Sequence, residues 1–116
     1  EHPFTDSMRQ VVTMIDESFF SATDLNLMVT FMAIYQEGSL TRAALKLNVK
    51  QPAVSGSLVR LRAIFGNELF VRDGRGMRPT KQADVIAKIL GPAIQQIQSI
   101  IESSRSIRQP SEATSH

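Results

Sequence analysis

Hydrophobic positions recur at helical intervals in the middle of the chain and predict two short helices joined by a tight turn. The first helix follows Ser39, a residue type that is favoured at helix N-caps, and the second ends near Phe65. Asn48 and Val49 interrupt the periodicity between them. The inward-facing positions of the two helices are Leu40, Ala43, Ala44, Leu47, Val54, Leu58, Leu61 and Phe65. The pattern therefore predicts a helix–turn–helix.

The opposite face of the second predicted helix is slim and uncharged. At about 100° per residue this face carries Pro52, Gly56, Val59 and Ala63. Gln51, Ser55 and Arg62 border it on one side, and Arg60 borders it on the other. A helix of this shape fits a major groove about 12 Å wide that is edged by phosphates. The same pattern also suits an ordinary helical core, so this segment alone does not decide between the two interpretations.

A further helix is predicted before this pair. Asp24 is expected to be its N-cap and Gly38 to supply the left-handed position that ends it. Its apolar stripe consists of Leu27, Met28, Phe31, Ile34 and Tyr35. Upstream, apolar residues between Met8 and Phe19 also have helical spacing, so residues 1–23 are expected to be an N-terminal extension that is either a short amphipathic helix or a mobile leader.

The segment after the helix pair has the composition of a β-hairpin. A strand-like run at residues 69–72 is followed by a glycine-rich turn at residues 73–76 and a second short run that ends at Pro79. Arg75 lies at the tip between two glycines. Such a loop beside a helix–turn–helix is a wing, and an arginine there suits a narrow minor groove. The alternative is an arginine that only keeps an exposed turn soluble.

A long helix is predicted from Lys81 to about Ser103, with Thr80 as its N-cap. Its apolar stripe is longer than the domain beneath it needs, so we expect pairing with the same helix of a second copy. The residues predicted to form that dimer interface are Ile86, Ile89, Leu90, Ile94, Ile97 and Ile101. Pro92 is expected to kink this linker helix without ending it. Packing of the whole helix onto its own domain is the alternative.

Charge is distributed unevenly along the chain. Residues 39–81 contain nine basic and two acidic side chains, a net charge of +7, whereas the whole chain of 116 residues carries only +2. The cations thus coincide with the helix–turn–helix and the wing, as expected for a surface that binds a polyanion. A merely solvated charged face is the alternative, as is a basic patch that meets an acidic protein partner.

Few residues in the chain are suited to catalysis or metal binding. Cysteine is absent, and the two histidines, His2 and His116, lie at the ends. The carboxylates show no paired spacing, and no glycine-rich loop of the phosphate-cradling type occurs. We therefore expect no enzyme, no metal and no cofactor. The sequence also contains no apolar run of membrane-spanning length and no secretory leader pattern, which predicts a cytoplasmic protein.

These motifs together resemble one family. The segments TRAA at residues 41–44, QPAVS at 51–55 and LRAIFGNELFVR at 61–72, with a wing that closes in PT at 79–80, resemble the N-terminal DNA-binding domain of LysR-type transcriptional regulators. The wing sequence and Arg62 resemble the branch that includes LeuO and NodD. The resemblance covers about residues 24–103 and implies a mainly α fold: a winged helix–turn–helix at 24–79 with a small two-stranded wing and a long C-terminal linker helix, used for dimerisation, at 80–104.

The resemblance implies sequence-specific binding of double-stranded DNA, as a dimer on a partly palindromic promoter site. The DNA-binding residues that it implies are Ser39, Thr41, Arg42, Gln51, Pro52, Ser55, Arg72, Arg75 and Thr80. Lys50, Arg60 and Arg62 are added to the predicted DNA-binding residues because these cations border the second helix. Gln51, Pro52 and Ser55 would face bases in the major groove, Arg75 would enter the minor groove, and the others would lie near phosphates. Independently of the family, the apolar ring of Pro52 suits a thymine methyl group.

Two positions depart from the commonest family pattern. Lys50 stands where a serine N-cap is usual, which loses a cap but adds a cation. Gly56 stands where a basic residue is frequent, which removes a contact and weakens the helix by about 1 kcal/mol relative to alanine.

The end of the chain is also interpreted through the family. Residues 105–116 are expected to form a flexible tail, and the effector-sensing domain usual in the family would be absent, as in an engineered fragment or a naturally short relative. No small-molecule ligand is then expected for this fragment, and higher oligomers than the dimer are possible in the full-length protein.

Overall fold

The computed structural model describes residues 9–10 and 22–108. Residues 22–108 form four helices and one antiparallel hairpin. The elements are α1 (Ala22–Glu37), α2 (Leu40–Leu47), α3 (Gln51–Phe65), β1 (Phe70–Asp73), β2 (Gly76–Pro79) and α4 (Lys81–Arg108), with a 3-10 turn at Asn67–Leu69 before β1. The order of these elements confirms the predicted fold class, a mainly α winged helix–turn–helix with a long C-terminal helix.

The corner between α1 and α2 has the predicted geometry, whereas the start of α1 differs from the prediction. Gly38 adopts a left-handed φ of 65° and its amide donates to the Ile34 carbonyl at 2.9 Å. Ser39 caps α2, because its hydroxyl oxygen accepts from the Arg42 amide at 3.2 Å. The predicted N-cap at Asp24 is wrong, since α1 already includes Ala22. Alanine has the highest intrinsic helix propensity, which favours this earlier start.

The turn between α2 and α3 is made by backbone groups. Asn48 has a left-handed φ of 59°, and its amide donates to the Leu45 carbonyl at 3.2 Å. Lys50 is extended and makes no side-chain capping bond to α3. The cap that the family pattern would supply is therefore missing at this position, as expected from the lysine.

The hydrophobic core lies where α1, α2 and α3 meet the hairpin and the first half of α4. Phe31 is fully buried at its centre, with ring centroids 5.4 Å from Phe70, 6.1 Å from Tyr35 and 6.2 Å from Phe65. The other buried hydrophobic residues are Leu27, Ala33, Ile34, Ala43, Ala44, Val54, Leu58, Leu61, Leu69, Phe70, Met77, Ala83 and Ala87. The contacts of Phe31 with Phe65 and Phe70 join segments that are distant in sequence, and thereby fix the hairpin against α1 and α3.

The hairpin pairs Phe70 with Pro79 and Asp73 with Gly76. Its two-residue tip is Gly74–Arg75, and Gly74 has a left-handed φ of 62°. Phe70 and Met77 point into the core, whereas Arg72 and Arg75 are exposed. The predicted wing is thus present, with its cationic side chains on the solvent side.

The last helix is longer than predicted. It comprises 28 residues, roughly 42 Å at 1.5 Å per residue, and continues through Pro92. The predicted end near Ser103 is too early, because the next strong helix breaker is Pro110. Residues 105–108, predicted to belong to a flexible tail, are helical.

Two predictions fall largely or wholly outside the described residues. Of the helix suggested between Met8 and Phe19, only Arg9 and Gln10 are described, and both are helical. The remainder of the tail, residues 109–116, is not described. Within residues 9–10 and 22–108, no helix has the length and apolarity needed to cross a membrane, and no three or more acidic or histidine side chains converge as a metal site would require.

Candidate nucleic-acid interface

One cleft gathers residues from three separate elements. It has a volume of about 200 Å³ and lies where the N-termini of α2 and α3 meet the hairpin. Its lining residues are Ser39, Leu40, Thr41, Gln51, Arg72, Arg75 and Met77. Five of these seven are among the predicted DNA-binding residues, so the fold brings together side chains that are up to 36 positions apart in sequence. We call this feature the wing cleft.

A backbone hydrogen bond to the corner between α1 and α2 holds the hairpin in place. The Met77 amide donates to the Gly38 carbonyl at 2.9 Å, which ties β2 to the corner between α1 and α2. A Cβ atom at residue 76 would lie 2.6 Å from the same carbonyl oxygen, so only glycine fits there without movement of the backbone. This close approach brings the wing arginines to the same side of the molecule as the start of α2.

The exposed face of α3 agrees with the prediction from the sequence. Val54, Leu58 and Leu61 are buried on one side of the helix. The α3 ridge, consisting of Pro52, Gly56, Val59 and Ala63, is exposed on the other. Gln51 lies at the N-terminal end of the helix and lines the wing cleft. Ridge and cleft therefore form one continuous candidate surface, with Ser55 half-buried beside them.

The predicted DNA-binding cations differ in whether they already form ion pairs or hydrogen bonds with other residues of the fold. Lys50, Arg60, Arg72 and Arg75 are exposed and form no ion pair of 4.0 Å or shorter with any residue that the structure describes. Arg42 is also exposed, but its Nε lies 3.7 Å from a Glu37 carboxylate oxygen and its Nη2 donates to the Glu37 carbonyl at 3.0 Å. Glu37 also pairs with Lys46 at 3.7 Å. Exposed pairs of this kind are weak, so Arg42 remains available to a phosphate.

Arg62 is a different case, because its guanidinium is used within the fold. Its Nη2 donates to the Phe70 carbonyl at 3.1 Å, and its buried Nε has no partner among the described residues. Arg62 thus links α3 to the first residue of β1. The sequence offered no signal for this contact, since a helix-flanking arginine beside a basic segment has the same pattern as a phosphate ligand.

Thr80 also has a structural role. Its hydroxyl oxygen accepts from the Ala83 amide at 3.4 Å, which confirms the predicted N-cap of α4. The same hydroxyl lies 2.5 Å from the Glu68 carbonyl oxygen and 3.0 Å from that of Leu69, and it can donate its single proton to either. Thr80 joins the end of the wing to the turn that precedes β1.

A side-chain hydrogen bond fixes α4 against α1. The Tyr35 hydroxyl donates to a carboxylate oxygen of Asp84 at 2.8 Å. This hydrogen bond, with desolvation and the negative charge of the same carboxylate, raises the pKa of Tyr35 above its ordinary value. Sequence periodicity treats Tyr35 only as part of an apolar stripe, and it does not reveal that the hydroxyl has an acidic partner 49 residues away.

The six predicted dimer residues differ in how far the domain covers them. Ile86 and Leu90 are half-buried against the domain core. Ile89, Ile97 and Ile101 are exposed by 71%, 41% and 50%. Ile94 lines a groove of about 500 Å³ between α1, the end of α2 and the middle of α4. The domain therefore uses Ile86 and Leu90, whereas it leaves Ile89, Ile97 and Ile101 uncovered.

These features define a class of protein: a winged helix–turn–helix domain with an exposed recognition-type helix, a cationic wing and an extended C-terminal helix. The chain belongs to the lysR family of bacterial regulatory helix-turn-helix proteins, whose family model matches residues 25–84. This membership confirms the resemblance inferred from the motifs. The family consists of regulators, which also confirms that the chain is not an enzyme.

Relatives from the predicted branch are similar over most of the chain. The transcriptional regulator LeuO of Escherichia coli is 44% identical over 81 residues, which cover 70% of this chain and 26% of LeuO. Nodulation protein D 1 of Rhizobium meliloti is 43% identical over 79 residues, which cover 68% of this chain and 26% of that protein. The aligned region thus spans about a quarter of the length of either relative.

A solved structure supports the fold assignment. The DNA-binding domain of BenM, determined in a complex with benA site 1 DNA, matches with a TM-score of 0.63 and 24% identity. The match covers 72% of this chain and 96% of the BenM chain. At that identity the similarity concerns the fold.

Proposed function

We propose that this chain is a sequence-specific, double-stranded DNA-binding domain of a bacterial transcription regulator and acts in the cytoplasm. The α3 ridge enters a major groove, and Arg75 at the wing tip enters the neighbouring minor groove. The wing cleft then faces the phosphates that separate the two grooves. The observation that carries the proposal is the convergence of Gln51, Arg72 and Arg75 on one cleft beside an exposed helix.

Physical chemistry favours this arrangement over a merely solvated surface. A slim helix face without charge can approach base edges, whereas cations at its border meet the phosphates. Arg75 lies at the two-residue tip of the hairpin and is exposed. An arginine so presented suits the strong negative potential of a narrow minor groove. The BenM domain, which has the same fold, was determined with DNA.

Titration of a fluorescent duplex by the chain at several salt concentrations tests the proposal. Each phosphate neutralised is expected to contribute about −0.9 to the slope of log K against log salt. Arg75→Ala should weaken binding to specific and random duplexes alike, whereas Ser55→Ala should reduce discrimination between them. Arg105→Ala, which removes the same charge from the exposed distal part of α4, is the control. Absence of binding even at low salt would refute the proposal and leave an acidic protein as the partner of the basic surface.

We also propose that two copies pair through α4 and thereby set the distance between two winged domains on a partly palindromic site. Ile97 and Ile101 support this, because they continue the stripe that Ile86 and Leu90 bury against the domain, yet they are uncovered. Symmetric pairing of two such stripes would remove them from water.

Sedimentation measurements test the pairing. Ile97→Asp should shift the chain toward monomer, because a charge would then face an apolar contact. Ser99→Asp introduces the same charge on the opposite side of α4 and should leave the mass unchanged. A chain that stays monomeric at high micromolar concentration would contradict the dimer without affecting the DNA-binding proposal.

A further inference from the structure

The α3 ridge contains a side chain that the fold itself does not explain. Val59 is 67% exposed, although it lies on a helix that buries Val54, Leu58 and Leu61 on its other side. It is flanked by Arg60, which is also exposed. An isolated exposed valine is common, but this one shares a stripe with Pro52, Gly56 and Ala63, all exposed. The α3 ridge is therefore an uncharged surface within the most basic part of the chain.

Gly56 leaves a gap in the α3 ridge. A Cβ atom built there would have no other atom within 4 Å, so position 56 faces open space between Pro52 and Val59. Because no side chain stands between them, the helix backbone can approach a surface until Pro52 and Val59 both touch it. The two residues are seven positions apart, roughly 10 Å along the helix axis. That distance corresponds to about three base-pair steps of 3.4 Å.

The side chains of the ridge have no hydrogen-bonding group. They cannot read the donors and acceptors of base edges, which is how polar side chains distinguish base pairs. The apolar feature of the major groove is the 5-methyl group of thymine, and small apolar side chains are the usual contacts to it. The neighbouring cations, Lys50 and Arg60, suit a polyanion rather than an apolar protein partner.

We infer that Val59 is a specificity-determining residue that contacts a thymine 5-methyl group two or three base pairs from the base that faces Pro52. The inference rests on the proposed function, because it requires α3 to lie in a major groove. It extends the predicted base contacts, which end at Ser55, by about one turn along the helix. The α3 ridge would recognise a pair of spaced methyl groups, in addition to the base edges that Gln51 and Ser55 face.

Single replacement of thymine by deoxyuridine tests this inference, because it removes only the methyl group. The probe is the tightest-binding duplex selected by the chain from a randomised library. Loss of a buried methyl contact corresponds to about a fourfold rise in Kd. We expect such a rise at two thymines within each half-site. In Val59→Ala, the rise should nearly vanish at one of them, whereas Pro52→Ala should abolish it at the other.

Val85→Ala is the matched control, since Val85 is a similarly exposed valine, 59%, on α4. This variant should keep the deoxyuridine effect at both thymines. The inference is overturned if the selected half-site contains no thymine, if no deoxyuridine changes Kd, or if Val59→Ala retains the full effect at both thymines. Any of these results, obtained with a duplex that still binds, leaves the proposed function intact. Failure to bind any duplex at low salt would instead refute the proposed function itself.

Discussion

The carbonyl oxygen of Gly38 lies 2.6 Å from the point where a Cβ atom of Gly76 would stand, and it accepts a hydrogen bond from the next amide, that of Met77, at 2.9 Å. The corner between α1 and α2 is therefore in direct backbone contact with the second strand of the wing. This contact sets how far the wing tip stands from the N-terminus of α2. The wing cleft depends on it, because the cleft is bounded by these two parts of the chain.

Substitution of Gly76 by alanine should destabilise the domain. The added methyl group meets a backbone oxygen that cannot rotate away, so the hairpin or the corner has to shift. Overpacking of this kind typically costs about 1–3 kcal/mol of unfolding free energy. Urea denaturation followed by circular dichroism measures the loss.

The same substitution at Gly56 is the control, and it is expected to stabilise the domain instead of destabilising it. Gly56 lies within α3 and a methyl group there meets no atom within 4 Å. Gly56→Ala should therefore raise the unfolding free energy by about 0.5–1 kcal/mol through helix propensity. Equal effects of the two substitutions would mean that the close approach at Gly76 does not constrain the wing.

The contact between Tyr35 and Asp84 should be visible in a spectroscopic titration. Tyr35 is the only tyrosine in the sequence and tryptophan is absent, so tyrosinate absorbance near 295 nm reports this hydroxyl alone. The pKa of Tyr35 should lie above its ordinary value of about 10, chiefly because the hydroxyl donates to Asp84. Asp84→Asn removes the carboxylate and should lower the pKa. An unchanged pKa in this variant would show that Asp84 is not the cause.

The raised pKa of Tyr35 also predicts how stability depends on pH. The folded chain holds the phenol proton more tightly than the unfolded chain does. The resulting stabilisation is fully present below about pH 10 and is lost as the pH rises through the folded-state pKa. Thermal unfolding of the wild type and of Tyr35→Phe, compared from neutral pH upward, should therefore show a loss with pH that is smaller in the variant.

Thr80 should contribute to stability through its hydroxyl. Thr80→Ala removes the N-cap of α4 and the bond to the turn before β1, which should cost about 1 kcal/mol of unfolding free energy. Thr80→Ser keeps the hydroxyl and should recover most of that loss. If serine and alanine were equally destabilising, the threonine methyl group rather than the cap would be responsible.

The helices and the wing were predictable because their signals are local. Spacing alone identified Val54, Leu58 and Leu61 as the buried side of α3, and all three are buried. Gly38 and Ser39 marked the corner between α1 and α2 through their backbone preferences. The end of α4 was missed because serines at 103 and 104 weaken a helix without ending it.

Contacts between distant segments were not predictable in this way. The approach of Gly76 to Gly38 depends on how the hairpin docks, which no local pattern encodes. The same is true of Arg62, whose contact with the Phe70 carbonyl arises only when α3 and β1 are both in place. The candidate surface was therefore predicted as a set of residues, but the structure was needed to separate the exposed cations from those that other residues of the fold already bind.

That division yields a last prediction, which compares Arg62 with Arg75. Arg62→Met keeps the aliphatic stem and removes a guanidinium that already has a partner at Phe70 and a buried Nε without one among the described residues. Arg75→Ala removes an exposed guanidinium at the wing tip. In the salt titration, Arg75→Ala should reduce the magnitude of the slope, because a cation held in the minor groove displaces counterions of the flanking phosphates, whereas Arg62→Met should leave the slope unchanged. A slope that falls equally in both variants would instead place the Arg62 guanidinium on a phosphate, as its position beside the slim face of α3 predicts.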